Sequence, residues 1–297
     1  MKAGKQMWKQ ESRVAAVFIL PFLFGFVLFS IVPMIYALVI SFMDYNVLKR
    51  FADVQFYGFG NYAHMLRDPI VWKSFLRSFM YALVYVPGIM VSSFILALWL
   101  NKSFFGRGFS RTMILVPYVA NVVAVAIVWS ILLDPFDGPV NKLLTAAGIN
   151  PPMWMGSSST SLSTIGLINV WQSLAFQTIV FLAAVQGVPA ELYEAAEMDG
   201  AGRLRKIFDI TIPWVSPTTF FLVITSLINS FQNYASVRML TDGGPGTSSR
   251  VIALNIYEEA FSYNHYSYAA AQAMVLFGFI LVLTILLWKG QKKWVHY

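Results

Sequence analysis

Apolar stretches and short charged stretches alternate along the whole of this chain. Six uncharged stretches are wide enough for a membrane-spanning helix, and they cover residues 14–43, 78–101, 112–133, 163–187, 210–237 and 268–288. A helix needs about 20 apolar residues to cross the roughly 30 Å hydrocarbon core of a bilayer. The pattern therefore predicts an all-α membrane protein with six transmembrane helices.

Two of the predicted spans carry polar residues at helical spacing. The candidate substrate-path residues are Asn169, Gln172, Ser173, Phe176 and Gln177 in the fourth span, and Ser226, Asn229, Ser230, Asn233 and Tyr234 in the fifth. Amides and hydroxyls that are buried away from water need hydrogen-bond partners. These residues either bond neighbouring helices or line a cavity that binds a neutral, hydroxyl-rich solute.

Composition agrees with a bilayer environment. Hydrophobic residues make up 58% of the 297 residues and charged residues only 12%, whereas soluble domains carry about 25% charged residues. The chain contains no cysteine, which excludes disulfides, thiolate nucleophiles and cysteine-bound metals. The formal charge of +7 does not indicate nucleic-acid binding, because the basic residues flank the apolar stretches.

The basic residues also predict an orientation. With six spans, both termini lie on one side, which then carries thirteen Lys and Arg residues against eight on the other side. Because cytoplasmic segments are enriched in Lys and Arg, we expect both termini in the cytoplasm. The first apolar stretch is longer than the about 7–15 residues of a signal-peptide core, and no small-residue cleavage site follows it, so we expect it to stay as an anchor.

The chain lacks the sequence signatures of common energy-coupling and catalytic sites. No Lys, Arg, Asp, Glu or His lies deep in a predicted span, which disfavours proton coupling and a strongly charged substrate, although sodium coupling through backbone carbonyls stays open. No G-x-x-x-x-G-K-[ST] loop or G-x-S-x-G elbow occurs. His64, His265 and His296 lack metal-ligand spacing. We therefore predict no catalytic residue and no metal site.

The charged segment between the fourth and fifth spans predicts a helix–turn–helix. Pro189 suits the start of a helix, and Gly200 and Gly202 give the backbone the freedom for a sharp turn. An apolar face with i, i+3, i+4 spacing follows from Leu204 and predicts a second, amphipathic helix. Such a segment either packs between the helices of its own chain or presents a rigid surface to a soluble partner.

This segment resembles the E-A-A-x3-G-x9-I-x-L-P signature of permease subunits of binding-protein-dependent ABC importers. The matching residues are Glu194, Ala195, Ala196, Gly200, Ile210 and Pro213. Ile212 stands where leucine is usual. The sequences FYGFGNYAHMLRDPIVWKSF, LTDGGPGTSS and IYEEAFSYNHYSYAAA resemble the carbohydrate-importing branch, near the maltose, multiple-sugar, lactose and glycerol-phosphate systems.

The resemblance implies the type I ABC importer permease fold and a bacterial plasma-membrane location. It implies three parts: residues 1–73 (tail, first helix and outer loop), a core of five helices at 74–288 that includes the coupling segment 188–213, and a cytoplasmic tail at 289–297. It also implies a heterodimer with a second permease, two ATPase subunits and an external solute-binding protein. The six signature residues would couple this chain to an ATPase, and that partner would bind ATP and magnesium. This chain would bind no cofactor and would not be an enzyme.

The resulting interpretation is a permease that imports a carbohydrate, a neutral oligosaccharide, by alternating access between two states. Glycerol 3-phosphate is the alternative substrate, because a related system of the same branch imports it. A secondary carrier is a different class of function that needs no coupling segment, and an intramembrane enzyme or scaffold is a third. The GGPG loop at residues 243–246 predicts either a simple chain reversal or a docking element for the binding protein.

Overall fold

The structure is a computed structural model that describes residues 17–45, 54–292 and 294–295. Its helices, numbered here in chain order, are α1 (Val17–Ile40), α2 (Gly60–Arg67), α3 (Pro69–Asn101), α4 (Arg107–Val119), α5 (Val122–Leu132), α6 (Pro139–Ala146), α7 (Ser161–Gln186), α8 (Ala190–Met198), α9 (Arg203–Trp214), α10 (Ser216–Gln232), α11 (Ala235–Leu240), α12 (Ile252–Tyr257) and α13 (Tyr266–Gln291). Several basic residues used to predict the orientation lie outside the described residues, namely those of the N-terminal tail with Lys49, Arg50 and Lys293.

Four helices, α1, α3, α7 and α13, are long and apolar enough to cross a membrane without a break. They correspond to the first, second, fourth and sixth predicted spans. α3 begins at Pro69, well before the predicted start at residue 78. The reason is local, because Asp68 Oδ1 accepts a hydrogen bond from the Ile70 N–H at 2.8 Å and a proline suits the first helical position.

The third predicted span is not one continuous helix, and this part of the prediction is wrong. α4 and α5 meet at an angle of 100°. Between them, Asn121 Oδ1 accepts a hydrogen bond from the Val123 N–H at 2.8 Å, which caps a new helix start. Pro117 lies in the last turn of α4, where it removes one backbone donor.

The fifth predicted span is also broken, since α9 and α10 meet at 67°. α10 ends at Gln232, and Asn233 has an extended backbone. Asn233 and Tyr234 therefore follow the helix and do not continue its polar face, contrary to the expectation for residues 210–237. The described residues thus hold four apolar helices that could span, or six spans if each bent pair counts as one.

The described residues fall into two compact units. Residues up to Arg67 with Glu258–Val275 form the first unit, and Asp68–Tyr257 with Leu276–Tyr297 form the second. In the first unit, Asn61 Nδ2 donates to the backbone carbonyls of Ser41 and Met43, both at 2.9 Å. These two bonds fasten α2 to the end of α1.

The core of the second unit is the packing of α3 against α7. A Cβ placed on Gly166 of α7 would lie 3.0 Å from Val84 Cγ1, and one on Gly88 of α3 would lie 3.1 Å from Val170 Cγ2. Membrane helices approach closely where small residues face a neighbour. Each of the two helices therefore offers a glycine to a valine of the other, which brings polar residues of both helices into reach.

Candidate functional site

A polar cavity of about 420 Å³ lies among α3, α5, α7, α10 and α11 in the second unit. Five of the ten sequence-predicted path residues line it: Asn169, Gln172, Ser173, Asn229 and Asn233. The other lining residues are Tyr81, Tyr85, Val122, Gln232, Ala235 and Ser236. All of them are uncharged, and amides and hydroxyls predominate. Such a lining can orient a neutral polar solute through hydrogen bonds.

Tyr81 connects two of the polar segments at the wall of this cavity. Its hydroxyl accepts hydrogen bonds from Asn169 Nδ2 at 2.9 Å and from Asn233 Nδ2 at 2.8 Å. Ser236 Oγ donates to Asn233 Oδ1 at 2.6 Å. Tyr81 is 1% exposed, so these bonds form where little water can replace them. The network holds both asparagine side chains in defined orientations.

The break in the third span contributes to the same site. Gln172 Nε2 donates to the backbone carbonyl of Ala120 at 3.3 Å. A carbonyl near the end of a helix such as α4 lacks an intrahelical partner, and Gln172 supplies one. Val122, the first residue of α5, lines the cavity. The bend therefore places the Ala120 carbonyl and the Val122 side chain beside the polar face of α7.

The aromatic wall of the cavity was not predicted from the sequence. The rings of Tyr81 and Tyr85 are stacked, with centroids 5.7 Å apart and planes inclined by 8°. Both tyrosines lie in an apolar stretch, where an aromatic residue resembles ordinary core. The available signal was their i, i+4 spacing, which places them on one face of α3.

Three other predicted path residues form hydrogen bonds outside the cavity lining. Gln177 Nε2 donates to Ser226 Oγ at 2.6 Å, and both side chains are buried. This bond joins α7 to α10, as the alternative interpretation of the polar faces requires. Ser230 Oγ donates within its own helix, to the Leu227 carbonyl at 2.7 Å.

The two aromatic residues of the predicted path also lie outside the cavity lining. Phe176 stacks on Tyr118 of α4, with ring centroids 6.3 Å apart. Tyr234 stacks on Tyr257 of α12, with ring centroids 5.0 Å apart. Their part in substrate binding stays a prediction.

The segment between α7 and α10 forms two helices joined by a sharp turn. α8 follows Pro189, and its end is a Schellman motif. In this motif the Ala201 N–H donates to the Ala196 carbonyl at 2.8 Å and the Gly200 N–H to the Glu197 carbonyl at 3.0 Å. Gly200 has φ +75°, a backbone conformation that costs energy for residues with a Cβ but not for glycine. The glycine four residues after Ala196 is thus explained by the turn.

The signature residues of this segment differ in exposure. Glu194, Ala195 and Gly200 are exposed, and Ala196 is half-buried. On α9, Ile210 and Pro213 are half-buried. The acidic and small residues of the signature therefore lie at the surface, whereas the apolar ones are partly covered.

Polar contacts fix α8 against α9. The hydroxyls of Tyr193 and Thr211 lie 2.9 Å apart. Lys206 Nζ donates to Glu197 Oε2 at 2.9 Å, and this bond, with the attraction of the two charges, holds the pKa of Glu197 below its usual value. The two helices therefore form one folded surface element.

Large apolar side chains remain uncovered on this element. Met198 is 89% exposed, Leu204 71% and Phe208 64%. Large exposed apolar side chains on a charged surface element are typical of a protein interface.

The GGPG loop folds back on itself. Gly243 and Gly246 have positive φ values of 79° and 61°. Ser249 Oγ donates to the Gly244 carbonyl at 2.8 Å, and the hydroxyls of Thr241 and Ser249 lie 2.7 Å apart. The positive φ values and these bonds show a chain reversal, which explains the glycines. A role of this loop in docking the binding protein stays a prediction.

Similar proteins were found by sequence and by structure. Residues 58–290 match the family described as "Binding-protein-dependent transport system inner membrane component". The sulfoquinovosyl glycerol transport system permease protein SmoG of Agrobacterium fabrum is 31% identical over 230 residues, which are 77% of this chain and 75% of that protein. The sn-glycerol-3-phosphate transport system permease protein UgpA of Yersinia pestis is 30% identical over 247 residues, 82% of each chain.

The structural comparison bears on the fold. A chain of a bacterial ABC transporter involved in the import of the acidic polysaccharide alginate superposes with a TM-score of 0.83. It is 23% identical in sequence, and the match covers 97% of this chain and 99% of that one. The arrangement of helices is therefore that of a type I ABC permease.

Proposed function

This chain belongs to the family of binding-protein-dependent transport system inner membrane components, and we propose that it is the ABC permease subunit through which a neutral carbohydrate is imported. It is a multi-pass protein of the bacterial plasma membrane. The observation that carries the substrate class is the cavity of about 420 Å³ whose lining is entirely uncharged. A sugar in this cavity can form hydrogen bonds with the amide side chains of the lining and can pack on the ring of Tyr85.

The relatives support the carbohydrate class. SmoG belongs to a sulfoquinovosyl glycerol transport system; this glycoside has the hydroxyl-rich character that the cavity fits and also carries a negatively charged sulfonate, so it supports the carbohydrate class and not the absence of charge. The amides of Gln172 and Asn229 each offer a donor and an acceptor in the cavity. A neutral oligosaccharide, with donors and acceptors on every ring, matches this lining.

The topology is part of the proposal. Each bent pair counts as one span, which gives six spans with both termini in the cytoplasm. The parts are residues 1–73, a core at 74–288 and a tail at 289–297. In this orientation α8 and α9 lie at the cytoplasmic surface, and the cavity lies nearer the outer side.

The coupling segment 188–213 connects this chain to its energy source. Its exposed Glu194 and Ala195 and the apolar Met198 face solvent and form the contact for an ATPase subunit, which binds ATP and magnesium. A second permease completes a heterodimer, two ATPase subunits lie beneath it, and a solute-binding protein delivers the sugar. ATP and loaded binding protein shift the assembly between inward-facing and outward-facing states, because each contacts the two states differently.

Uptake by the reconstituted assembly tests this function. The binding protein that co-purifies with the chain is screened against sugars by thermal shift, and ATP-driven uptake of the best ligand is measured in liposomes. Asn229→Ala removes a cavity amide, and losing a hydrogen bond of about 0.5–1.5 kcal/mol should weaken uptake at low substrate by about two- to tenfold.

Ser230→Ala is the matched control for this substitution. It changes the adjacent residue of α10, whose hydroxyl bonds its own helix outside the cavity, and should leave uptake unchanged. Equal uptake by both variants would remove Asn229 from the path. Uptake by the chain alone without ATP would favour the secondary carrier.

A second candidate is an anionic substrate such as glycerol 3-phosphate. UgpA belongs to an sn-glycerol-3-phosphate transport system, and one basic residue of α3 precedes the cavity residue Tyr81. Arg77 lies one turn before Tyr81 on α3, its Nη2 donates to Thr247 Oγ1 at 3.0 Å, and its buried Nη1 has no hydrogen-bond partner among the described residues. A guanidinium with an unused donor is suited to a phosphate oxygen.

Substitution of Arg77 separates the two candidates. If the substrate is anionic, Arg77→Gln should lower its uptake by about tenfold or more, because a hydrogen bond to a charged group is worth about 1.5–3 kcal/mol. Arg67→Gln, on α2, is the control. Unchanged uptake of the identified ligand in Arg77→Gln would leave the neutral carbohydrate as the substrate class.

A further inference from the structure

A second cavity of the same unit is mostly apolar and has a basic rim. It encloses about 490 Å³ among the end of α3, the end of α7, and α8 and α9. Its apolar wall includes Ile95, Leu98 and Trp99 of α3 with Val185 of α7 and Ile207 of α9. Its volume is within the roughly 300–1,000 Å³ of ordinary ligand sites.

Three cationic side chains surround this cavity: Lys102, Arg203 and Lys206. Lys206 is neutralised by its bond to Glu197 at 2.9 Å. Lys102 and Arg203 have no acidic partner within the part of the chain that the structure describes. Two unneutralised cations at the edge of an apolar cavity favour a ligand that has an anionic head and an apolar body.

The wall of the cavity continues into an exposed apolar surface of α3. Ile95 is 58% exposed and Trp99 44% exposed, and both belong to an apolar helix long enough to span. Lys102 follows the last residue of that helix. A ligand in the cavity would therefore have its apolar part at the depth of lipid chains and its charged part at the interface.

We propose that this cavity binds one anionic phospholipid of the cytoplasmic leaflet. Its phosphate lies between Lys102 and Arg203, and an acyl chain lies along Trp99. Basic pockets between membrane helices on the cytoplasmic side suit such head groups. The assignment of the leaflet rests on the orientation in the proposed function. A sugar fits this cavity less well than an acyl chain does, because the side chains of Ile95, Leu98, Trp99, Val185 and Ile207 offer it no hydrogen bond.

The position of the lipid gives it a role in coupling. Tyr193 and Thr211, whose hydroxyls join α8 to α9, both line this cavity. Glu194 and Ala195, on the same helix as Tyr193, are not part of the lining and stay available to a soluble partner. The bound lipid therefore contacts the coupling segment through residues other than those proposed for the ATPase contact.

Tryptophan quenching measures this binding on the chain itself. The purified full-length chain is placed in nanodiscs of unbrominated phosphatidylcholine that contain increasing fractions of brominated phosphatidylglycerol or, separately, brominated phosphatidylcholine. The signal of Trp99 is the difference between wild type and Trp99→Phe. This signal should be half-quenched at a much lower fraction of the anionic lipid than of the zwitterionic lipid.

Charge variants test the head-group contact. Each interfacial cation is worth about fivefold in binding an anionic lipid, so Lys102→Gln and Arg203→Gln should each reduce the preference about fivefold and the double variant about twenty-five-fold. Lys289→Gln, an exposed lysine in the last turn of α13, should retain it. Equal quenching by both lipids, or equal loss of preference in Lys289→Gln, would overturn the proposal.

The same quenching experiment is repeated on the assembled transporter. If the anionic preference of Trp99 disappears when the partner subunits are present, the cavity belongs to a protein contact and the lipid assignment is wrong. The quenching readout needs neither substrate nor ATP. A failure of the lipid proposal is therefore distinguishable from a failure of the transport function, which the uptake assay measures, and from a reversed orientation, which cysteine labelling measures.

Discussion

The backbone angle of Gly200 determines the shape of the coupling segment. Space for a side chain is not limiting there, because a Cβ on Gly200 would meet nothing within 4 Å. The constraint is φ +75°, which costs other residues roughly 1–2 kcal/mol. Asparagine tolerates this conformation better than alanine does.

Substitution of Gly200 should therefore reduce coupling in a graded order. We expect substrate-stimulated ATPase activity of the assembled transporter to fall from wild type to Gly200→Asn and further to Gly200→Ala. Gly200→Pro should abolish it, because proline also removes the N–H that bonds the Glu197 carbonyl.

Gly202→Ala is the control for this series. Gly202 also has open space around it, but its φ is −68°, so alanine fits. If Gly202→Ala reduced coupling as much as Gly200→Ala, the effect would come from surface contact and not from the turn.

The contribution of the Tyr81 hydroxyl to stability can be tested by removing that single oxygen atom. Tyr81→Phe leaves the donors of Asn169 and Asn233 without their acceptor, and unsatisfied buried polar groups cost about 1–3 kcal/mol. We expect the free energy of unfolding in mixed detergent micelles to fall by about that amount. Tyr118→Phe removes a hydroxyl from a half-exposed ring on α4 and should change it little. Equal losses in both variants would contradict the role given to the Tyr81 network.

Individual residues show how far sequence reasoning extends. The polar faces predicted a cavity, and Asn169, Gln172 and Asn229 do line one. This part of the site could be predicted because polar residues stand out in an apolar helix. Gln177 is also a polar residue in an apolar helix, but its side chain bonds Ser226 and does not line the cavity. The sequence could not separate these outcomes, since they depend on which neighbouring helix faces each side chain.

Among the helices, α3 and α7 depend on two glycines for their close approach. Gly166→Val would push a branched side chain toward Val84, 3.0 Å from the Cβ position, and overpacking of this kind typically costs about 1–3 kcal/mol. We expect lower thermal stability and weaker uptake, because the cavity residues of both helices shift.

Gly278→Val is the matched control for this helix contact. Gly278 is a mid-helix glycine of α13 and has no neighbour within 4 Å of a Cβ. It should keep the stability of the wild type. If Gly166→Val were equally stable, the glycine–valine contacts would not set the spacing of α3 and α7.

The predicted elements differ from the observed ones where tertiary partners intervene. The uncharged stretches located the unbroken α1, α3, α7 and α13, because a helix needs about 20 apolar residues to cross the hydrocarbon core. They missed the bend at Asn121, although an N-cap residue and Pro117 were visible. Gln172 bonds the carbonyl at that bend, and a contact from a distant helix leaves no local signal in the sequence.

On the scale of the whole molecule, the absence of cysteine allows a direct test of topology. A single introduced cysteine is the only thiol of the chain. With both termini in the cytoplasm, Ser103→Cys should react with a membrane-impermeant maleimide only from the cytoplasmic side, and Ser158→Cys only from outside. Both positions are exposed.

Labelling of right-side-out and inside-out vesicles distinguishes the two orientations. The reverse pattern at both positions would invert the topology, and labelling of both positions from one side would remove a span between them. Either result would also relocate the coupling segment, because α8 shares its side with residue 103 in the six-span arrangement.

The uncovered Met198, Leu204 and Phe208 have a consequence for biogenesis. Under the proposed orientation and ATPase contact, a copy synthesised in excess over the ATPase subunits would expose these apolar side chains to the cytosol, where chaperones and membrane proteases recognise such surfaces. Surplus copies should therefore have short lifetimes, and balanced translation of the subunits would protect them.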